Sequence, residues 1–257
     1  GGHHVLIIRS NYNIIRNNHF YNSNWMKNGN YGNRCIGGNA KIGYGEFLLI
    51  EGNTFSYSGN PPDAPYSDHM KYAFSNTIIR KNRFYNANGN GFKAAVWQEN
   101  RLSNDHHIYN NVFYKNGYRS DDNNHTYGIT FVSYKNQPLT QGSVIVNNIF
   151  HSNRSGSIGY RINGRDLPEN HDIRTNWWDA QGNPGFVNKE IPSVSDVNLP
   201  DLNLSSGSPC IDAGAFLTQI TSNSGSGKTF QVEDATFFMD GWGIIKGDLI
   251  QLQRQNE

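Results

Sequence analysis

The sequence predicts an all-β chain of short three-strand coils stacked on one another, and three observations carry that expectation. The first is composition: of 257 residues, 36% are hydrophobic, 13% are aromatic and about one in seven is Asn, with a mean hydropathy of −0.68. Such a chain is too polar to fill one wide core, but it can fill a narrow one many times over. The second is a repeat, Ile-x-x-Asn-x-aromatic, at Ile15/Asn18/Phe20, Ile50/Asn53/Phe55, Ile79/Asn82/Phe84, Ile108/Asn111/Phe113, Ile145/Asn148/Phe150 and Ile173/Asn176/Trp178. The third is period-two alternation inside the units, with no convincing 3.6-residue period anywhere. The aromatic positions step by 35, 29, 29, 37 and 28 residues, so the unit is near 28 residues with insertions in some turns. Three short strands plus loops fit that length. The fold class expected is therefore a right-handed parallel β-helix followed by the start of a small β module.

In chain order, Gly1 opens directly in a strand-like run, GGHHVLIIRS, without a starting Met. Amino-terminal coils and a cap are accordingly expected to be missing. Residues 1–214 form the β-helix, with Ile on Ile and Phe on Phe down the interior and Asn side chains bonding between coils at one bend. After Trp178 the repeat fades, and residues 215–257 read as a Ser/Gly linker, SNSGSG, and a partial small β module. Cys35 and Cys210 match no metal spacing and are read as thiols rather than a disulfide. Net charge is +1, which supplies no field for nucleic acid. No apolar run is long enough for a membrane span, and the chain is read as a monomer.

A second strand in each coil carries the candidate chemistry. If Ile42, Tyr72, Ala94, Phe131 and Ile162 face inward, then Lys41, Lys71, Lys93, Thr130 and Arg161 face solvent. Amines on adjacent rungs, about 5 Å apart, repel by roughly 1 to 3 kcal/mol, which would leave Lys71 or Lys93 neutral near about pH 8 to 9. A neutral amine beside further cations suits an acidic polysaccharide, where a base takes the proton at C5 of a uronate and a cation steadies the carboxylate. Lys41 and Arg161 are the candidate carboxylate ligands. His69, next to Lys71, could orient substrate or serve as the base. The insertion from Tyr118 to Tyr127 could wall a groove and supply Arg119 or His125. Trp97, Tyr66 and Trp25 could stack on sugar rings, whereas Asp105-His106-His107 is read as turn chemistry.

The segment Asn183-Pro184-Gly185-Phe186-Val187, then Leu202-Asn203-Leu204 and Ser206-Gly207-Ser208-Pro209-Cys210-Ile211-Asp212-Ala213-Gly214, resembles the closing segment of secreted bacterial proteins of the pectin-lyase-like superfamily. That resemblance implies a secreted or cell-surface protein. The run Asn88-Gly89-Asn90-Gly91-Phe92-Lys93 resembles a stretch of the ninth family of polysaccharide lyases, the β-helical pectate lyases, and so implies Lys93 as the base. The pair Lys71 and Lys93 is similar in placement to the Lys and Arg of the alginate and chondroitin lyases of the sixth family, whose lysine is the base. Both imply an extracellular lyase acting by β-elimination. The ninth family also implies Ca2+, for which this chain offers Asp63, Asp68 and, a coil earlier, Glu46; calcium takes six to eight oxygens, so carbonyls and water would have to complete the site. Here Lys93 stands where the sixth family has arginine, which loses bidentate carboxylate recognition. The paired aspartates and Gly-His-Gly of polygalacturonase-type hydrolases are absent. A non-catalytic glycan-binding β-helix and a C5-epimerase fit the same pattern.

Overall fold

The computed structural model describes residues 3–7, 9–21, 34–37, 44–58, 67–96, 102–117, 126–133, 140–162, 170–190, 199–222 and 228–252. The chain divides into two compact units, Gly1–Ala215 and Phe216–Glu257. In the first unit the repeats are written out as strands. Repeat one holds β1 (His3–Leu6), β2 (Asn13–Arg16) and β3 (His19–Tyr21); repeat two, β4 (Arg34–Gly37), β5 (Tyr44–Glu51) and β6 (Thr54–Ser56). Repeat three fuses two strands into the long β7 (Met70–Arg80), followed by β8 (Arg83–Tyr85). Repeat four holds β9 (Phe92–Val96), β10 (His106–Tyr109) and β11 (Val112–Tyr114); repeat five, β12 (Tyr127–Ser133), β13 (Val144–Val146) and β14 (Ile149–His151); repeat six, β15 (Gly156–Ile162) and β16 (Asp172–Arg174). Equivalent strands of successive repeats pair in parallel, the first and second of each repeat in an eleven-stranded sheet joined through β7, the third in a five-stranded sheet. The unit is thus all-β with large parallel sheets.

The register places like on like. Ile15, Ile50, Ile79, Ile108, Ile145 and Ile173 are paired in succession, as are Phe20, Phe55, Phe84, Phe113 and Phe150. The phenyl rings lie 5.0, 4.6, 4.8 and 5.0 Å apart, within 8° of parallel, and Trp178 caps the row 5.3 Å from Phe150. The sequence expectation of one interior aromatic ladder therefore holds. Strand spacing sets this distance, and each stacked pair adds about 0.5 to 1.5 kcal/mol beyond burial of its area.

Polar continuity at the bend between the second and third strands is equally regular. The residue entering the bend takes a left-handed conformation in every repeat: Asn17, Gly52, Lys81, Asn110, Asn147 and Thr175, with φ between 50° and 65°. The Asn that follows satisfies the groups the bend leaves over. Asn111 donates from Nδ2 to the carbonyl of Ile79 at 2.8 Å and to Asn148 Oδ1 at 2.9 Å, while its Oδ1 accepts the Asn82 N–H at 2.9 Å. A second ladder was not anticipated: Asn116 Nδ2 donates to Asn153 Oδ1 at 3.0 Å and to the Phe84 carbonyl at 3.0 Å, at the bend after the third strand.

β17 (Phe186–Asn188) and β18 (Asp201–Leu204) form an antiparallel pair that lays Phe186 and Leu202 on Tyr57, Tyr85 and Tyr114 of the five-stranded sheet's outer face. Of the second unit's described residues only Ile220 and Val232 make a β-bridge. The strands expected there are replaced by turns in which carboxylates bind backbone, as Asp234 Oδ1 accepts the Thr236 N–H at 2.8 Å and Asp240 Oδ1 the Trp242 N–H at 2.8 Å. No helix among the described residues is long and apolar enough to cross a membrane.

Replacing Asn111 with Ala should cost about 2 to 5 kcal/mol, because the buried Ile79 carbonyl and Asn82 N–H both lose their partner. Asn18→Ala, at the exposed end of the ladder, should cost under about 1 kcal/mol. Urea unfolding of the two variants checks this, and equal losses would contradict a load carried by the buried links.

Candidate functional site

Alternation fixes which side chains leave the core on the first strand of each repeat. Met70, Tyr72, Phe92 and Ala94 belong to the core, so Lys71 and Lys93 point to the other face, and they are direct cross-strand partners. Thr130 is the next rung. Beyond these three the anticipated ladder differs. Gly37, not Lys41, pairs with Lys71, and Gly159, not Arg161, pairs with Thr130. Ile36, the partner of Met70, and Tyr160, the partner of Phe131, belong to the interior; Ile42 lies outside the described residues, as does the Ile162 side chain. Arg161 pairs with Val132 two residues further along, and its side chain lies outside the description. Lys41, Asp63, Tyr66, Trp97, Arg119, His125 and Trp25 also lie outside the described residues.

The two lysines are not an open row. Lys93 is fully buried, whereas Lys71 is partly exposed. Burial first, then the cations Arg34 and Lys93, push the Lys71 ammonium well below the usual lysine range, against the pull of Asp68. Arg34, which the sequence reading did not single out, lies with its Nε 3.7 Å from Asp68 Oδ2. Asp68 Oδ1 accepts the Asn90 N–H at 3.0 Å and its Nδ2 at 2.8 Å. Asn90 Oδ1 in turn accepts the Tyr127 N–H at 3.1 Å and the Thr130 hydroxyl at 2.5 Å. The buried Asp68 carboxylate thus lies beside Arg34 and acts on Lys71, whose cross-strand partner is Lys93.

The glycines of Asn88-Gly89-Asn90-Gly91 are set by this packing. A Cβ on Gly89 would sit 2.7 Å from Asp68 Oδ1, and one on Gly91 would sit 2.8 Å from both the Gly128 carbonyl oxygen and Phe113.

Two other candidates move away from the pair. His69 lies inside the corner before β7, fully buried, with Nδ1 2.9 Å from Ser58 Oγ and Nε2 2.8 Å from the Tyr85 carbonyl. Desolvation lowers its pKa to about 4, so it is a neutral internal residue rather than a partner of substrate. Glu46 is exposed on β5, opposite Ser75. Ser75 is seven residues along the chain from Asp68, which is engaged by Asn90 and Arg34 instead. The described members of the calcium set are therefore not brought together, and no group of three or more His, Cys, Asp or Glu suited to a metal occurs among the described residues. Both cysteines are thiols. Burial raises the Cys35 thiol to about 12, which keeps it protonated and unreactive.

His106, read from sequence as part of a turn, begins β10 and points into the core, its Nδ1 2.6 Å from Thr77 Oγ1 and its Nε2 3.0 Å from the Ser103 carbonyl. Burial lowers it to about 3, and lowers His171, stacked on Phe131, to about 4.

These three imidazoles make stability fall as pH falls. The unfolded chain protonates them near about 6.5 and the folded chain only near 3 to 4, so between those values the unfolded state binds more protons. Urea titrations from pH 7.5 to 5 should show unfolding free energy declining below about 6.5 with a slope approaching three protons. A flat profile would contradict neutral burial of these rings. Comparison with protein-family models, with curated proteins and with solved structures finds no match to this chain.

Proposed function

We propose that the first unit is a right-handed parallel β-helix of a secreted or cell-surface protein and that it cleaves an acidic polysaccharide by β-elimination. The fold reading is supported by parallel pairing of equivalent strands in every repeat. The functional reading rests on one observation, the cross-strand pairing of Lys71 with Lys93 beside Arg34. In this mechanism Lys71 is the base, because it is the partly exposed member of the pair and its neutral form is favoured. The neutral amine takes the C5 proton of a uronate. The electrons left behind pass through the α carbon towards the carboxylate, and the C4 substituent then departs with its bonding pair, leaving a C4–C5 double bond. Arg34 and Lys93 hold the local potential positive around the carboxylate that bears the developing charge. Lys93, being buried, acts on Lys71 rather than on the sugar.

A glycan-binding scaffold without catalysis is the second reading, favoured by the engagement of Asp68 with Asn90 and Arg34, which ties the charged cluster into the fold. A C5-epimerase would use the same proton abstraction and return the proton to the opposite face.

Incubation with pectate, alginate and glycosaminoglycans, followed by ultraviolet absorbance of the unsaturated product, tests the proposal. Lys71→Ala should lower the rate roughly 10²- to 10⁴-fold. Activity should rise with pH through the lowered Lys71 pKa, since the base works deprotonated. Lys93→Met removes a repelling cation, raises the Lys71 pKa and should move that rising limb to higher pH while leaving the plateau in place. Product formed at the original rate by Lys71→Ala would refute Lys71 as base, and no product from any acidic glycan would leave the scaffold reading.

A further inference from the structure

A cavity of about 650 Å3 runs along the bend between the second and third strands, on a different edge from the lysine pair. One wall is the row of left-handed bend residues Gly52, Lys81, Asn110, Asn147 and Thr175, one from each of five successive repeats. At ~4.8 Å per rung that row is about 19 Å long, so it suits an elongated ligand rather than a single ion. The other wall is the closing segment from Leu202 to Gly214. It is pinned at both ends: Arg83 donates to Asn203 Oδ1 at 2.5 Å, and Asn147 exchanges two 2.8 Å hydrogen bonds with the Ala215 backbone.

The lining chemistry is one-sided. Lys81 and Arg83 are its cations, Asn110, Thr175 and Gln181 add neutral polar groups, Trp177 supplies an indole, and none of the described lining residues is Asp or Glu. The Trp177 Nε1–H is spent on the Gly182 carbonyl at 3.1 Å, which leaves the ring as an apolar surface. Asn203 engages one of the five N–H donors of the Arg83 guanidinium. A pocket of this volume with a few convergent polar groups is of ligand-binding size. Amides for hydroxyls, an aromatic plane for a ring face and fixed cations for carboxylates or sulfates together describe a sugar acid polymer.

We infer that this bend cavity is a second glycan-binding site, taking a short segment of an anionic oligosaccharide along the axis of the repeats. The inference does not depend on the lysine pair being catalytic.

Calorimetric titration of the full chain with tetrasaccharides of galacturonate, of mannuronate and of neutral cellotetraose tests it. Lys81→Asn is the informative variant: Lys81 Nζ lies 3.7 Å from Glu51 Oε1 at an exposed site, Asn tolerates the left-handed conformation at φ 57, and without Lys81 Glu51 keeps its ion pairs with Arg16 and Arg80. The expected result is that one uronate tetrasaccharide binds the wild type and Lys71→Ala alike, that Lys81→Asn weakens it about tenfold or more, and that Lys81→Arg restores it. Unchanged affinity in Lys81→Asn, equal affinity for the neutral sugar, or no binding of either uronate would overturn the inference. Binding lost in Lys71→Ala but kept in Lys81→Asn would also overturn it, by placing the glycan on the first sheet, and would leave the lyase reading standing.

Discussion

The structure depends on one constraint: at the bend after every second strand, backbone N–H and C=O groups are buried where no sheet ladder reaches them. Asparagine meets that constraint because one side chain carries both an acceptor and two donors. Asn82, Asn111 and Asn148 each give Nδ2 to the Ile carbonyl of the repeat before and to the Oδ1 of the next Asn, and each is 1% exposed. Aspartate would lack the donors and glutamine would overreach. A chain of such bonds is demanding, because an unpaired member would leave a buried polar group stranded. It also forces every repeat to rise by the same amount. The Ile and Phe ladders are in register because the bends are.

Equal rise has a cost wherever the sequence places like charges on neighbouring rungs. On the second strands Arg16, Glu51 and Arg80 are successive partners, and the alternating sign converts proximity into ion pairs of 3.6 and 3.1 Å. On the first strands Lys71 and Lys93 have the same sign at the same spacing, and Arg34 adds a third positive group. Repulsion there is roughly 1 to 3 kcal/mol at a rung spacing of about 5 Å, and Asp68 opposes it. The fold has an obvious way to relieve that strain, since a threonine serves on the next rung.

The interior was legible in the sequence because a ladder of identical residues writes its own period. Ile, Asn and aromatic recur at fixed offsets whatever loops intervene. The outer side of the first sheet was not legible, because no ladder bond obliges its residues to be alike. Gly37 and Gly159 fill two of its rungs and carry no side chain to announce them, so Lys41 and Arg161 were aligned two or more residues off without disturbing alternation. His69 was misread for a different reason. It lies in the corner just before β7, where alternation has not begun, and its partners Ser58 and Tyr85 come from other segments. The second Asn ladder had a signal that went unused: Asn116 and Asn153 each follow a first-ladder Asn, at 111 and 148, by five residues.

The motif resembling the pectate lyases can be weighed residue by residue. The Asn88 N–H bonds the Ser58 carbonyl at 2.9 Å and the Gly89 N–H that of Ser67 at 2.9 Å. Asn90 joins Asp68 to Thr130, Gly91 has no room for a Cβ, and Phe92 is core. Four of the six positions, residues 89–92, are thus fixed by turning one corner of stacked parallel strands, and any chain solving that packing problem could arrive at them. Lys93 is the last residue of the run. It is a fully buried lysine directly across from Lys71, and with Arg34 it lowers the Lys71 ammonium pKa while Asp68 raises it. The case for chemistry at this sheet therefore rests on the lysine pair and not on the motif around it.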